Sequence, residues 1–137
     1  MDYQEYRKAH FTDPPPEPRF AFRSTAGATL YFADYDRGVD YYTKVLGDPA
    51  YVEGAGTRSW QIGDTWLTLL AGGDGHPRNV EIGFVMDSPG EAERLQRALI
   101  EAGGTGADPS DEFMHVPVRF CPVTDPFGTE LLVFAEL

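Results

Sequence analysis

Among the side chains of this 137-residue chain that are able to do chemistry, a handful stand out by their place in the sequence. Carboxylates stand at the start of two apolar runs, Glu81 in VEIGFVMD and Glu130 in TDPFGTELLVF, and histidines occur at His76 and His115. Imidazole and carboxylate are the donors that hold divalent cations or move protons. Glu130 is therefore either part of a metal or catalytic site or the polar end of a core strand. His76 lies in a polar linker, GDGHPRN, and His115 opens HVPVRFCPV. Taken singly, each reads as solvent-facing or hydrogen-bonded rather than as a ligand. Cys121 reads as a buried, inert thiol. Glu81 is a cleft carboxylate that meets a cationic ligand or a strand-end group in water. Arg119 is its partner or an edge-strand charge.

The elements that must position these groups are legible from pattern. Residues 1–22 form an arm, in which MDYQEYRKAHF is weakly helical and TDPPPEP is a stiff spacer that cannot continue a helix. Its aromatic residues are expected to pack across a partner chain or over the cleft. GATLYFA then reads as a strand and DYDRGVDYYTKVLG as a helix, capped by Asp34 or Asp36, with Val39, Tyr42 and Leu46 on one face and Gly47 closing it. AYVEGAG, TRSWQIG and TWLTLLAG follow as short strands, with Gly63-Asp64 as a hairpin tip. After the linker, VEIGFVMD is a strand. SPGEAERLQRALIEAGG is a helix with a Ser88/Glu91 capping box, Pro89 at its first turn and Ala92, Leu95, Leu99 and Ala102 on one face. GTGADPSDE reads as a loop, and HVPVRFCPV as a strand that Pro117 and Pro122 push towards an edge or bulge. Asp-Pro-Phe-Gly is a tight turn into the last strand.

The order strand, helix, strands is thus written twice, with Asp34 and Asp87 in matching places. The expected fold class is α+β: paired βαβββ modules, about 26–72 and 80–135, forming curved mixed sheets around a cleft within one domain, 23–137. Twenty-two acidic residues against eleven Lys and Arg give a net charge of −11. That charge repels nucleic acid and anionic membrane and attracts cationic ligands. No apolar run approaches a membrane span, the start is no signal peptide, and a single cysteine excludes an intrachain disulfide, so a cytoplasmic protein is expected.

Three stretches, FADYDRGVDYYTKVLG, EIGFVMDSPGEAERLQRALIEAGG and DPFGTELLVF, resemble the vicinal oxygen chelate superfamily. That superfamily includes glyoxalase I, extradiol dioxygenases, fosfomycin-resistance transferases and bleomycin-binding proteins. The resemblance implies the glyoxalase/bleomycin-resistance fold and, in metal-dependent members, four His or Glu ligands, two per module. Carried over one by one, those positions fall near Gly27, near Thr68, on Glu81 and on Leu132. One donor in four does not hold a metal ion. No metal or other cofactor is therefore expected, and the last strand is expected to be mainly core.

Alternation along the strands puts Thr29 and Tyr31 on the face of Gly27, Trp66 and Leu70 on that of Thr68, Gly83 and Val85 on that of Glu81, and Phe134 on that of Leu132. The expected ligand-binding residues are Tyr31, Trp66, Thr68, Glu81 and Phe134, with Trp60 and Arg119 as further candidates; Trp60 reads equally as a core or interface residue. The expected role is metal-independent binding or sequestration of a small aromatic or cationic molecule by a homodimer. A lyase or dioxygenase with an irregular metal set drawn from His76, Glu81, His115 and Glu130 is the rival reading. A metal-free isomerase or cyclase is a third.

Overall fold

The computed structural model describes residues 2–18, 27–72, 80–113 and 116–137. His76, His115 and the aromatic residues Phe20 and Phe22 of the arm lie outside the described residues. The first module runs β1 (Gly27–Phe32), α2 (Tyr35–Leu46), β2 (Tyr51–Glu53), β3 (Thr57–Ile62) and β4 (Thr65–Ala71). The second runs β5 (Glu81–Val85), α3 (Pro89–Glu101), β6 (Ser110–Phe113), β7 (Pro117–Thr124) and β8 (Glu130–Glu136). A further helix, α1 (Tyr3–His10), precedes both.

Each module makes a four-stranded sheet, ordered β1-β4-β3-β2 and β5-β8-β7-β6. In both, the first strand lies parallel to the last, β1 to β4 and β5 to β8, and the remaining pairs are antiparallel. The repeat read in the sequence is thus one topology built twice.

Local chemistry accounts for most boundaries. The Asp2 carboxylate accepts from Glu5 N and the Glu5 carboxylate from Asp2 N, closing a capping box on α1. Ser88 Oγ accepts from Glu91 N at the start of α3, but the Glu91 carboxylate accepts from Arg94 instead of completing the box. Asp34 is the N-cap of α2 without a side-chain capping bond, and Gly47 ends that helix at φ +87°. The buried face of α2 is Tyr35, Gly38, Tyr41 and Tyr42, with Val39 and Leu46 only partly covered, so the expected stripe is rotated. α3 buries Ala92, Gln96 and Leu99.

HVPVRFCPV departs from the expected edge position. Ser110–Phe113, expected as loop, is a strand that pairs with β7 and leaves β7 inside the sheet. The prolines are accommodated because Pro117 is the first residue of β7, while Pro122 lies beyond the reach of β6. There the Pro122 carbonyl accepts from the Gln96 side chain.

Leu30, Phe32, Leu67 and Leu69 of the first sheet and Ile82, Phe84, Leu131 and Val133 of the second point to their helices and join one core. A clasp of side-chain contacts couples the modules. The Tyr42 hydroxyl donates to Asp125 Oδ2 at 2.5 Å, the Tyr41 hydroxyl to the Leu99 carbonyl at 3.0 Å, and the Phe32 and Phe127 rings meet edge to face at 5.0 Å. Asp125 also accepts from Phe127 N and Thr129 N, so the carboxylate of the Asp-Pro-Phe-Gly turn shapes the turn and ties it to the other module. Burial, reinforced by Asp125, raises the Tyr41 phenol to about 12 and the Tyr42 phenol further still.

α1 rests on the second sheet. The Tyr3 and Tyr6 rings lie 5.6 and 5.1 Å from Phe113, on the face that carries Asp111. Arg119, opposite Asp111, reaches Glu93 of α3 from that face, so α1 lies on the helix-bearing side of the sheet.

Candidate functional site

The faces that turn away from the helices are partly open, and strand pairing assigns their side chains to rows. On the first sheet, Gly27, Trp66 and Gln61 make one row, Thr29, Thr68 and Ser59 the next, and Tyr31, Leu70 and Thr57 the third. The middle row is one of hydroxyls, with Ser59 Oγ and Thr68 Oγ1 hydrogen-bonded at 2.8 Å. On the second sheet the rows are Glu81, Glu130 and Thr124, then Gly83, Leu132 and Pro122, then Val85, Phe134 and Phe120.

The seam between the two sheets is marked where residues of β1 and β5, edge strands of their own sheets, line one cavity. A cavity of about 210 Å³ opens in that seam. Gly27, Trp66, Glu81 and Gly83 line it from the faces turned away from the helices, and Ala28, Ile62, Thr65, Leu67, Ile82 and Phe84 from the helix side. Two of the residues singled out from sequence, Trp66 and Glu81, are therefore brought to one cavity from different modules. Thr68 lies one row along β4, its hydroxyl engaged by Ser59. Tyr31 lies on the groove face further along β1, 55% exposed, and Phe134 lies on that of β8, partly covered.

Trp60 and Arg119 are elsewhere. Trp60 is 3% exposed and donates its indole N–H to the Gly47 carbonyl at 2.8 Å, which makes it a core residue that holds the end of α2. Its partner in the sheet is Leu67, on the helix side, so alternation alone removes it from the groove. Arg119 also lies on the helix side, where its guanidinium donates to Asp111 and to Glu93 of α3. It is an ion-paired strut between strand and helix. Cys121 is buried on that same side, and burial, with Glu93 next in effect, raises its thiol above the ordinary value.

Glu130 shows what sequence reasoning undervalued. Expected as the polar end of a core strand, it is exposed on the groove face directly opposite Glu81 in the parallel β5–β8 register. Adjacent strands lie about 4.8 Å apart, so the carboxylates are neighbours on one face. The Thr124 hydroxyl donates to Glu130. The signal that identifies this pair is the register itself, which no single segment contains. Leu131, Val133 and Ala135 of the same strand are core.

The metal positions implied by the resemblance do not fit an ion. Gly27 has φ +124°, and a Cβ there would fall 1.9 Å from the Trp66 carbonyl oxygen, so the backbone leaves no place for a ligand side chain. Thr68 offers a hydroxyl already bonded to Ser59, and Leu132 offers no donor. Among the described residues no three His, Cys, Asp or Glu side chains are grouped to hold a metal. Also among the described residues, no helix is long and apolar enough to cross a membrane.

Residues 24–133 match the sequence profile of the Glyoxalase/Bleomycin resistance protein/Dioxygenase superfamily. The chain belongs to that superfamily. Solved structures of similar fold include a glyoxalase/bleomycin resistance protein from Albidiferax ferrireducens, at TM-score 0.66 and 16% identity over 82% of this chain and 98% of that one. A glyoxalase/bleomycin resistance protein/dioxygenase from Nocardioides gives TM-score 0.65 and 19% identity over 98% of this chain and 93% of that one. The fosfomycin resistance protein FosX from Mesorhizobium loti gives TM-score 0.63 and 16% identity, covering 85% of this chain and 95% of that one. At these identities the likeness is one of fold. No curated protein matches this chain significantly.

Proposed function

We propose that this member of the glyoxalase/bleomycin resistance superfamily binds a small flat or positively charged organic molecule in its groove, without a metal ion, as a sequestering protein does. One observation carries the reading: Trp66 and Glu81, an aromatic surface and a carboxylate from different modules, line one cavity. Gly27, whose backbone admits no side chain, lines the same cavity at an implied metal position. Stacking and cation–π contacts contribute about 0.5–2 kcal/mol each, so a few of them with apolar burial support micromolar affinity. The net charge of −11 adds long-range attraction for a cation.

Screening the full chain against aromatic and cationic compounds by thermal shift, followed by tryptophan-fluorescence titration, tests this. A bound ligand quenches Trp66, and Trp66→Ala weakens binding about tenfold or more. Glu81→Gln weakens cations selectively, and rising salt reduces the long-range part of the attraction. One transition metal per chain by elemental analysis, removed together with stability by a chelator, would favour the metalloenzyme reading and exclude this one.

A further inference from the structure

Gly83 stands in the middle of β5, where glycine weakens a strand because it has no side chain to pack and more backbone freedom to lose. At several other glycines the reason is visible. Gly47, Gly63 and Gly128 turn the chain at positive φ, and at Gly106 a Cβ would fall 2.1 Å from the Pro122 carbonyl oxygen. Gly83 has neither reason. Its φ is not positive, and the nearest neighbour of an added Cβ is the Phe134 ring at 3.7 Å, an ordinary contact. It is exposed, it faces the groove, and it lines the cavity together with Glu81 and Trp66. The fold tolerates a side chain at this point; the cavity would lose its space to one.

We infer that Gly83 is the platform on which the ligand lies: a flat, positively charged ring system set face-on against the bare main chain of β5, between the Trp66 indole and the Glu81 carboxylate. This rests on the proposed use of the cavity for ligand binding and adds where the ring sits and what shape it has. At a glycine the strand presents bare peptide that a ring approaches to about 3.5 Å. One methyl group on that surface lifts the ring and removes much of the contact. A cavity of about 210 Å³ suits a bicyclic system of this kind. Glu81, with Glu130 opposite it in register, supplies the countercharge.

The probe is 4-aminoquinoline, a flat bicycle protonated at neutral pH, with quinoline as its neutral counterpart. Both are added to the full ¹⁵N-labelled chain, with affinities from calorimetry. The Gly83 amide and the Trp66 indole N–H are expected to shift with 4-aminoquinoline, which binds roughly tenfold more tightly than quinoline. Gly83→Val, a residue favoured in strands, is expected to weaken binding at least about tenfold while the melting temperature holds or rises. Gly83→Ala is expected to fall between Gly83→Val and the parent.

Trp66→Ala separates the two readings. Loss of binding in Trp66→Ala with full affinity in Gly83→Val overturns the Gly83 inference and leaves the cavity reading standing. Failure of 4-aminoquinoline to bind at millimolar concentration overturns the inference alone, since another compound from the screen can still occupy the cavity. A large fall in melting temperature for both Gly83 variants shows that the glycine serves the fold, and also overturns it.

Discussion

The two modules share one topology and differ on their open faces. The first sheet presents an aromatic end at Trp66, a row of hydroxyls at Thr29, Thr68 and the buried Ser59, and a second aromatic at Tyr31. The second presents two carboxylates, Glu81 and Glu130, and then an apolar floor of Leu132, Pro122, Phe134 and Phe120. The helix-side faces supply the shared apolar core in both, with the Arg119 ion pairs at the margin of the second. A duplicated fold is held by what its sheets bury, and the open faces are free to diverge, so function is to be sought in the open rows and not in the resemblance of the halves.

The two tryptophans offer the sharpest way to break this contrast. Trp60→Ala removes a core ring and the hydrogen bond to Gly47, and is expected to cost about 3–5 kcal/mol in denaturant unfolding. Trp66→Ala, on the open face, is expected to cost about 1 kcal/mol while taking most of the ligand affinity with it. Equal destabilisation by the two would erase the distinction between buried and open faces.

The turns before the last strands form a second pair. Asp125 is 4% exposed and accepts from Tyr42, Phe127 and Thr129, whereas Asp64, at the hairpin tip of the first module, is exposed. Asp125→Ala leaves a buried hydroxyl and two amides without their acceptor and is expected to cost about 3 kcal/mol. Asp64→Ala is expected to stay within about 0.5 kcal/mol. Urea midpoints of the two variants measure the difference.

Alkaline pH acts on the same clasp. A tyrosine ionises near 10 when unfolded, while burial holds Tyr41 up to about 12 and Tyr42 higher. Above pH 10 the unfolded chain releases protons that the native chain keeps, so stability present below pH 10 is lost as pH rises. The slope is about 1.4 kcal/mol per pH unit for each such phenol, with the Tyr41 part spent by about pH 12. Tyr42→Phe and Tyr41→Phe should each flatten the curve; a profile unchanged in both variants would remove the clasp from the account.

A smaller effect than that of the core and the clasp is expected from the arm. The Tyr3 and Tyr6 rings contribute about 0.5–1.5 kcal/mol each against Phe113. Deleting residues 1–18 should therefore lower the melting temperature by a few degrees and leave binding in the groove unchanged. A loss of affinity on deletion would place part of the arm at the site after all, and sedimentation velocity on the same variant reports the oligomeric state.

Most of the fold was legible because its signals are local. Ser88 with Pro89, the glycine after α2, the alternation of TWLTLL and the doubled order of elements each act within a few residues of themselves. What was misread depended on neighbours distant in the chain. SDEF carries a weak strand pattern, and only pairing with β7 makes it a strand. The rotation of α2 follows from packing Tyr41 and Tyr42 onto a module that begins some forty residues later. Trp60 and Arg119 were candidates by residue type, and their partners, the Gly47 carbonyl and the Glu93 carboxylate, put both on the helix side.

By itself, then, the sequence determined the α+β class, the duplication, which faces of β1, β4, β5 and β8 share a side, and the lack of donors at Gly27 and Leu132. These follow from residue type and period, which are properties of short segments. The tertiary structure alone decided that Trp66 and Glu81 line one cavity, that Glu130 stands opposite Glu81, that Asp125 ties the modules together, and that Gly83 lines the same cavity as Trp66. Each of these is a distance between segments, and such distances are set by how the two sheets pack on their shared core.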